Sequence, residues 1–456
     1  MTSRAGRRRA ALLSIPALAL AATLVPAQTA TAAAPPMTSN AVQRWNEVAG
    51  RVGLASCLSP GNDPLHESRM YALGALAAHD ALNAVHRRYA SYASRPPGGR
   101  LADPDAAVAA ASRTALAAAL GQLPPEFAGC RAAAMALVDE AYAAELAAVP
   151  DGAAEDAGVA VGTAAAAAVL ATRVGDGSDT PIIVDASGYQ QGTQPGQWRF
   201  TPDRPFAFAP GWGAVRTFAL RGSQGRHVDP PYPLGSRAYA RDLATVKRLG
   251  GDGLTTPSAR TPDQTQVARF WVESSPLQWN RIARSVAIER HLDAWQSARL
   301  FSLLDMALAD GYIVSFDVKF RNPFWRPVTA IREADTDGNV RTTADPAWTP
   351  LDTTPPIPDH DSAHAVQGGA AAAVLARVLG TDEVAFETCS LTLPEGQQCD
   401  DSTPVLRAYR SFSQAARENA DSRVLVGFHF PHASRTGLAH GYQVGTIVAD
   451  DLPAIR

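Results

Sequence analysis

The chain has 456 residues, of which 46% are hydrophobic, and it carries 41 Lys plus Arg against 44 Asp plus Glu. A chain of this length can bury a large core, and its length permits one large domain as easily as two or three. The formal net charge of -3 argues against nucleic acid or an anionic membrane surface as the main partner.

The N-terminus has the pattern of a secretory signal. An Arg-rich head is followed by an apolar stretch from Ala10 to about Val25 and by small-residue sites ending at Ala34. We therefore expect residues 1–34 to be removed, which leaves 37 basic against 44 acidic side chains in a secreted protein. The pair Arg8-Arg9 is only a weak signal for twin-arginine export, which stays open as an alternative route. Since no later segment offers about 18 uninterrupted apolar residues, no membrane span is expected.

The rest of the chain divides into three regions by sequence pattern. Residues 35–174 are rich in Ala, Leu and Val at helical spacing, and Asp103 with Pro104 has the form of a helix start. Residues 175–235 are rich in Gly, Pro and aromatic residues and predict a long ordered loop over the helices. Helical spacing resumes over 236–456. The predicted fold class is all-α, a helical-bundle domain with long ordered loops.

The four cysteines form an even set in a chain predicted to be exported, which predicts two disulfides. Cys389 and Cys399 bracket a polar, turn-like segment that a disulfide could close. We favour this pairing together with Cys57–Cys130, although the spacing does not exclude other pairings. There is no Cys-x-x-Cys spacing of the kind found in zinc sites.

Three segments of the C-terminal half concentrate cationic residues and histidines. The first holds Lys319, which is one of only two lysines in the chain, and Arg326-Pro327 seven residues later. Because Pro323 interrupts any helix, we place Lys319 near a helix end and Arg326 in the extended segment after it. The second segment begins a helix at Ser362 and His364 that should end near Gly380, and the third carries Arg423 and His429.

Together the three segments offer the groups that a highly charged oxyanion needs. Guanidinium groups supply paired donors, an ammonium supplies a point charge, and hydroxyl and helix-end amide groups donate to the remaining oxygens. One imidazole can bond to the central atom while the other moves a proton. The residues therefore predict a site for a phosphate-like anion with two histidines.

The order Lys-x6-Arg-Pro, Ser-x-His at a helix start and Ser-Arg-x5-His resembles the signature of vanadium-dependent haloperoxidases and the type 2 phosphatidic acid phosphatase superfamily. The stretches "FRNPFWRPVTAIREADTDGN" and "FWVESSPLQWNRIAR" are similar to the bacterial secreted haloperoxidase-like branch. This resemblance runs from about residue 40 to residue 445. It implies the helical-bundle fold of that family and an enzyme that oxidises halide with hydrogen peroxide at a histidine-ligated vanadate.

The resemblance also implies a role for each matching residue. His429 would be the axial ligand of vanadate, and His364 the acid/base residue. The oxygens of vanadate, or of phosphate in the same site, would be held by Lys319, Arg326, Ser362, the backbone of Ala363, and Arg423. The partners implied are hydrogen peroxide, halide and an organic acceptor.

The sequence departs from the family pattern next to Ser362. Where the family usually has Pro-Ser-Gly-His, this chain has Asp361-Ser362-Ala363-His364. Alanine resists backbone angles that glycine adopts freely. The Asp361 carboxylate should weaken anion binding unless it turns away to cap the helix. We therefore expect this protein to bind oxyanions more weakly than its relatives.

Three alternatives remain open from the sequence. The same scaffold supports a secreted phosphatase that would use a phospho-histidine intermediate at His429. A degenerate relative would bind an oxyanion without catalysis. His360 and His364 are also spaced like the histidine pair of a zinc site, with no obvious third ligand beyond His429 or His432. The sequence does not fix the oligomeric state.

Overall fold

A computed structural model describes residues 39–455 except 94–98, 223 and 226, so the predicted signal peptide lies outside the described residues. The described chain is mostly helical, as predicted. In the N-terminal half the helices are α1 (Ala41–Ala55), α2 (Pro64–Val85), α3 (Pro104–Gly121), α4 (Ala128–Leu146) and α5 (Ala153–Ala171). In the C-terminal half they are α6 (Arg237–Leu249), α7 (Pro262–Phe270), α8 (Ser275–Glu289), α9 (Ala294–Arg321), α10 (Pro327–Arg332), α11 (Ala363–Leu379), α12 (Phe412–Leu425) and α13 (Pro431–Val448).

The N-terminal helices pack as a bundle in which α2, α3 and α5 each contact the other two. The predicted helix start is confirmed, because the Asp103 side chain accepts the backbone N–H groups of Asp105 and Ala106 at the start of α3. Helix α5 approaches α3 so closely that a Cβ atom at Gly162 would lie 2.2 Å from the carbonyl oxygen of Ala107. Glycine is thus required at this helix crossing.

Helix α5 also has the length and mean hydropathy of a membrane-crossing helix, and 33% of its apolar window is buried among its neighbours. The sequence rule of about 18 uninterrupted apolar residues did not select it, because Glu155, Asp156 and Thr163 interrupt the run. In the described chain this helix packs against α2 and α3.

Helix α9 is the central element, with 28 residues that are buried along most of its length. It contacts α1 and α2 of the N-terminal half and α11 and α13 of the C-terminal half. Asp293 and Gln296 form a capping box at its start. It ends at Arg321, two residues before Pro323, and its last turn carries Lys319. Because α9 contacts both halves, its C-terminal end is held in a fixed place within the bundle.

The C-terminal bundle is built around α11, which packs on α9, α12 and α13. The contact with α13 is close, since a Cβ atom at Gly441 would lie 2.0 Å from the carbonyl oxygen of Val366. Helix α11 begins at Ala363 and ends before Gly380, whose φ of 77° is the left-handed conformation that glycine adopts at helix ends. These bounds match the helix predicted from the sequence.

The aromatic-rich region 175–235 contains little regular structure. Strands β1 (Ile183–Asp185) and β2 (Phe206–Phe208) form an antiparallel ribbon in which Ile183 is opposite Phe208. Trp198 and Trp212 are fully buried. The Asp310 carboxylate of α9 accepts the backbone N–H groups of residues 218–220, at 2.5 to 2.9 Å, which holds the end of this region on the bundle.

The C-terminal half holds a second ribbon, and the structure contains both disulfides. Strands β3 (Phe386–Thr388) and β4 (Arg407–Tyr409) pair in antiparallel fashion. The disulfides are Cys57–Cys130 and Cys389–Cys399, the pairings favoured from the sequence. The first joins residues 73 apart and ties the end of α1 to α4, whereas the second closes the polar loop that follows β3.

Candidate active site

The structure brings the three predicted segments together at the ends of helices. Lys319 lies in the last turn of α9, and Arg326 precedes α10 in an extended conformation with φ -79° and ψ 156°. Ser362 is the residue before α11. Arg423 lies in the last turn of α12, and His429 follows in the short link to α13. Residues distant in sequence therefore converge because α9, α11, α12 and α13 pack as one bundle.

Four of the predicted side chains and one predicted backbone position line a common cavity of about 480 Å³. They are Arg326, His364, Arg423, His429 and Ala363. Lys319 and Ser362 lie behind this surface and are fully buried. The predicted anion-binding groups therefore border one cavity.

The His429 ring has a defined hydrogen-bonding partner on each side. Its Nε2 lies 2.9 Å from Nη1 of Arg326, and its Nδ1 lies 3.0 Å from Oδ1 of Asp359. A guanidinium can only donate, so Nε2 accepts and the ring proton sits on Nδ1, where Asp359 accepts it. Burial, and next the charge of Arg326, hold the pKa of His429 well below its usual value, so the ring is neutral. This tautomer places the lone pair at Nε2, so a ligand bonded to Nε2 would have to replace its hydrogen bond with Arg326.

The three predicted cations lie buried in one region, and each has a lowered pKa. Burial lowers the pKa of Lys319 to about 7, that of Arg326 to about 10 and that of Arg423 to about 9. The charge of Arg326 adds to the lowering at Lys319 and Arg423. The nearby Asp359 compensates them poorly, because burial raises its own pKa to about 7. An anion bound here would relieve this repulsion.

Four buried polar atoms of the predicted residues have no hydrogen-bond partner within the described chain. They are Nη2 of Arg326, Nε of Arg423, Oγ of Ser362 and Nε2 of His364. Buried polar groups without partners are costly, so a cluster of them points to a ligand that would satisfy them. Three can donate to oxygen atoms, which fits an oxyanion.

Backbone carbonyls fix the orientation of both guanidinium groups. Arg326 donates from Nε to the carbonyl of Ile357 at 2.7 Å and from Nη1 to that of Phe428 at 2.9 Å. Arg423 donates from Nη1 to the carbonyl of Trp271 at 2.8 Å. Each guanidinium is thus held in place while Nη2 of Arg326 and Nε of Arg423 stay without a partner, which is the preorganisation that anion binding favours.

Lys319 differs from the two arginines. Its Nζ donates to the backbone carbonyls of Pro358 at 2.9 Å and Asp359 at 3.1 Å, and also to that of Asp361. An ammonium has three donors, so all of them are used by the segment that leads to Ser362. Lys319 therefore brings positive charge to the site and shapes this segment, while its direct contact with an oxyanion remains a prediction.

His364 is placed to take up a proton from the cavity. The backbone carbonyls of Val272 and Glu273 accept a hydrogen bond from its ring, and Nε2 has no partner within the described chain. A carbonyl only accepts, so Nδ1 carries the proton and Nε2 has the free lone pair. Burial, followed by the charge of Arg423, holds the pKa of His364 well below its usual value. The ring is therefore a neutral acceptor.

The Asp361 carboxylate turns away from the cavity and does not cap α11. Oδ1 accepts from the Ser315 hydroxyl at 2.7 Å, and Oδ2 lies 2.5 Å from Nδ1 of His440. The other nitrogen of His440 meets the carbonyl of Gly225, so both ring nitrogens donate and the imidazole is charged. Burial by itself raises the pKa of Asp361. The charge and the hydrogen bond of His440, together with the other charged neighbours of Asp361, outweigh burial and hold that pKa at about 2. Asp361 and His440 thus form a buried ion pair.

The zinc alternative gains no support from the placement of its two histidines. Nε2 of His360 lies 2.7 Å from the carbonyl oxygen of Asp229, and its ring stacks on His432 rather than facing His364. Among the described residues, no group of three or more His, Cys, Asp or Glu side chains is placed to hold a metal ion.

The sequence reasoning did not identify two residues that shape the site. Asp359, which orients His429, lies three positions before Ser362, and its place in "PDHDSAH" was the available signal. His440, the partner of Asp361, lies on α13 and faces the start of α11. Sequence spacing gave no indication of this contact, because Asp361 and His440 are brought together only where α11 and α13 pack against each other.

Comparisons with known proteins agree with this geometry. Residues 299–455 match the family model described as the VCPO second helical-bundle domain. The vanadium chloroperoxidase of Curvularia inaequalis is 28% identical over 294 residues, a match that spans about half of each protein, 50% of this chain and 47% of that one.

Solved structures show the same fold over most of the chain. The first bacterial vanadium-dependent iodoperoxidase superposes with a TM-score of 0.72 at 23% identity, covering 92% of this chain and 98% of that one. A holo-type bacterial vanadium-dependent chloroperoxidase gives a TM-score of 0.69 at 17% identity, covering 90% and 97%. The C-terminal part of the chain thus matches the second helical-bundle domain of that family model, and the described residues share the fold of these bacterial vanadium-dependent peroxidases.

Proposed function

We propose that this protein is a vanadium-dependent haloperoxidase that oxidises halide with hydrogen peroxide. The observation that carries the proposal is the set of four unpartnered buried atoms around the neutral, Nε2-accepting ring of His429. The donors among them suit the oxygens of vanadate, and the lone pair of His429 suits its central atom. When bound, vanadate supplies the centre that activates peroxide toward halide.

Each protein group has a distinct task in this proposal. Asp359 accepts the Nδ1 proton of His429 and so keeps its Nε2 lone pair directed at the site. Arg326, Arg423 and Ser362 donate hydrogen bonds to the anion and balance its charge. His364, a neutral ring with a free Nε2, accepts a proton from hydrogen peroxide and returns one to the departing water.

The buried ion pair explains how an aspartate is tolerated beside an anion site. The negative charge of Asp361 is compensated by His440 and Ser315, and its carboxylate points away from the donors. The penalty expected from the sequence is therefore reduced for as long as His440 keeps this contact. The lower oxyanion affinity expected of this chain remains a prediction.

The activity prediction compares two histidine variants after incubation with vanadate. His429→Ala should no longer retain vanadium, and its bromination of monochlorodimedone should fall by more than about a hundredfold. Loss of a direct ligand should lower activity more than loss of a residue that only orients a ligand. His86 is an exposed histidine directly after α2, so His86→Ala should keep its vanadium and its bromination activity. Bromination that survives in His429→Ala contradicts the proposal. Phosphate-ester hydrolysis without bromination in the unaltered protein would favour the phosphatase instead.

A second prediction concerns Asp361. Removing its partner in His440→Ala leaves a carboxylate beside the buried cations and should weaken sulfate binding on the order of tenfold, about 1.4 kcal/mol. Adding Asp361→Asn removes that charge and should restore the affinity measured by titration calorimetry. If the double variant binds as weakly as His440→Ala, the effect arises from lost packing and the charge argument is wrong.

A third prediction follows from the pKa of Lys319, which lies at about 7 in the ligand-free protein. A lowered lysine pKa means that protonation costs stability, and this cost is complete once the pH falls below about 7. An anion offsets the cost, so sulfate should bind about tenfold more tightly at pH 6 than at pH 9. Both histidines that line the cavity, His364 and His429, stay neutral across this range, whereas Asp359, whose pKa is about 7, also loses a proton and weakens anion binding in the same direction.

The chain offers a matched control, since Lys247 is its other lysine and lies on the surface of α6. Lys319→Met should reduce the pH dependence of sulfate binding to the part that arises from Asp359, whereas Lys247→Met should retain all of it. Equal pH dependence in the two variants would show that Lys319 does not titrate in this range.

A further inference from the structure

The α7–α8 link, residues 271–274, supplies backbone acceptors to two side chains of the anion site. The carbonyl of Trp271 accepts from Nη1 of Arg423 at 2.8 Å. The carbonyls of the next two residues accept a hydrogen bond from the ring of His364. A hydrogen-bond donor is directed by the position of its acceptor, so the position of this link sets the direction in which both side chains face the anion.

An ion pair with α8 fixes the link. The side chain of Glu273 is fully buried, and Arg281 donates to its Oε1 from Nη2 at 2.6 Å and to its Oε2 from Nη1 at 2.9 Å. A guanidinium that binds both carboxylate oxygens fixes their orientation as well as their distance. Buried ion pairs often add little net stability relative to well-packed apolar side chains. The geometry that this pair imposes therefore needs a reason beyond stability.

The disulfide loop, residues 389–399, lies against both members of this ion pair. Nη1 of Arg281 also donates to the carbonyl of Cys389 at 3.0 Å. The backbone N–H of Leu391 donates to Oε1 of Glu273 at 3.4 Å. The loop thus adds one hydrogen bond to each member, and its own shape bears on where the pair lies.

The disulfide bond restricts the shape of this loop. Between its two cysteines the sequence is "SLTLPEGQQ", and its tip, residues 394–396, is exposed. A further hydrogen bond joins the loop to α7, since Thr392 Oγ1 donates to the carbonyl of Arg269 at 2.7 Å. A covalent bond across 10 residues limits the conformations open to the loop. Without it, the same contacts would have to order a free segment, at a cost in conformational entropy.

We propose that Glu273 and Arg281 are positioning residues of the anion site and that the disulfide loop keeps them in place. Neither side chain lines the cavity. They act through the α7–α8 link, whose carbonyls orient Arg423 and His364. Removing the disulfide should therefore loosen the link and leave the donors of Arg423 less well aimed at an anion. The effect on sulfate binding does not depend on the proposed function, whereas any effect on halide oxidation rests on it.

The test compares the two disulfides of the protein, with sulfate as the probe and titration calorimetry as the readout. Cys389→Ser with Cys399→Ser, the loop variant, leaves every charge in place. It should bind sulfate about fivefold to tenfold more weakly, because the anion-binding donors lose preorganisation. Cys57→Ser with Cys130→Ser is the matched control and should keep the sulfate affinity of the unaltered protein to within about twofold.

The stability of the two variants separates positioning from a general loss of structure. The control disulfide closes 73 residues and the loop disulfide closes 10, so loss of the control bond should lower the urea midpoint of unfolding by more. The proposal therefore predicts opposite orders for the losses in affinity and in stability. Unaltered sulfate affinity in the loop variant, or affinity losses that follow the losses in urea midpoint, overturns the proposal.

A second variant tests the ion pair with both disulfides intact, and so applies even where removing a disulfide prevents folding. Arg281→Lys keeps the positive charge but lacks the planar fork that spans Glu273 and the carbonyl of Cys389. It should weaken sulfate binding by about fivefold. Arg284→Lys is the control on the same helix, where Arg284 donates to Asn46 of α1 at 2.9 Å. Equal sulfate affinities in the two lysine variants would contradict a positioning role for Arg281.

Bromination separates this inference from the proposed function. If the protein incubated with vanadate brominates monochlorodimedone, the loop variant should do so more slowly and the control disulfide variant at the unaltered rate. Bromination by the unaltered protein, with no loss of sulfate affinity in the loop variant, overturns the inference alone. A loss of sulfate affinity in the loop variant of a protein that brominates nothing supports the inference and overturns the proposed function alone.

Discussion

The arrangement of this site depends on the burial of three cations in one place. Lys319, Arg326 and Arg423 are excluded from water, and Asp359, a carboxyl group close to Lys319 and Arg326, has its own pKa raised by burial to about 7. Such a cluster is stable only if backbone carbonyls and a bound anion compensate it. The carbonyls that hold the three side chains come from residues 271, 357–361 and 428, which lie at or near helix ends. The packing of α9, α11 and α12 thus determines where these three positive charges lie.

Much of this arrangement could be predicted from the sequence because it is local. Pro323 fixed the end of α9, and Gly380 fixed the end of α11, since each acts on the backbone next to it. The oxyanion residues followed from motif spacing together with the family resemblance. The scarcity of lysine drew attention to Lys319, but it did not show that the carbonyl groups of Pro358, Asp359 and Asp361 use all three of its donors.

What could not be predicted is tertiary. The sequence suggested that Asp361 would either weaken the anion site or cap α11, and the structure shows a third outcome, in which α13 brings His440 to the carboxylate. Likewise, the contact between Asp359 and His429 was not predicted. The cavity beside the anion site is also tertiary, because it combines a short ribbon of the loop region with α9 and the end of α12. Contacts of this kind depend on helix crossings that no local pattern encodes.

The central claim is that one oxyanion satisfies the unpartnered atoms around His429. The most direct measurement is a crystal structure of the protein soaked in orthovanadate, with vanadium located by its anomalous scattering. The account predicts one vanadium atom bonded to Nε2 of His429, with its oxygens within hydrogen-bond distance of Nη2 of Arg326, Nε of Arg423 and Oγ of Ser362. Vanadium bound elsewhere, or a site in which those atoms keep no ligand at saturating vanadate, would contradict it.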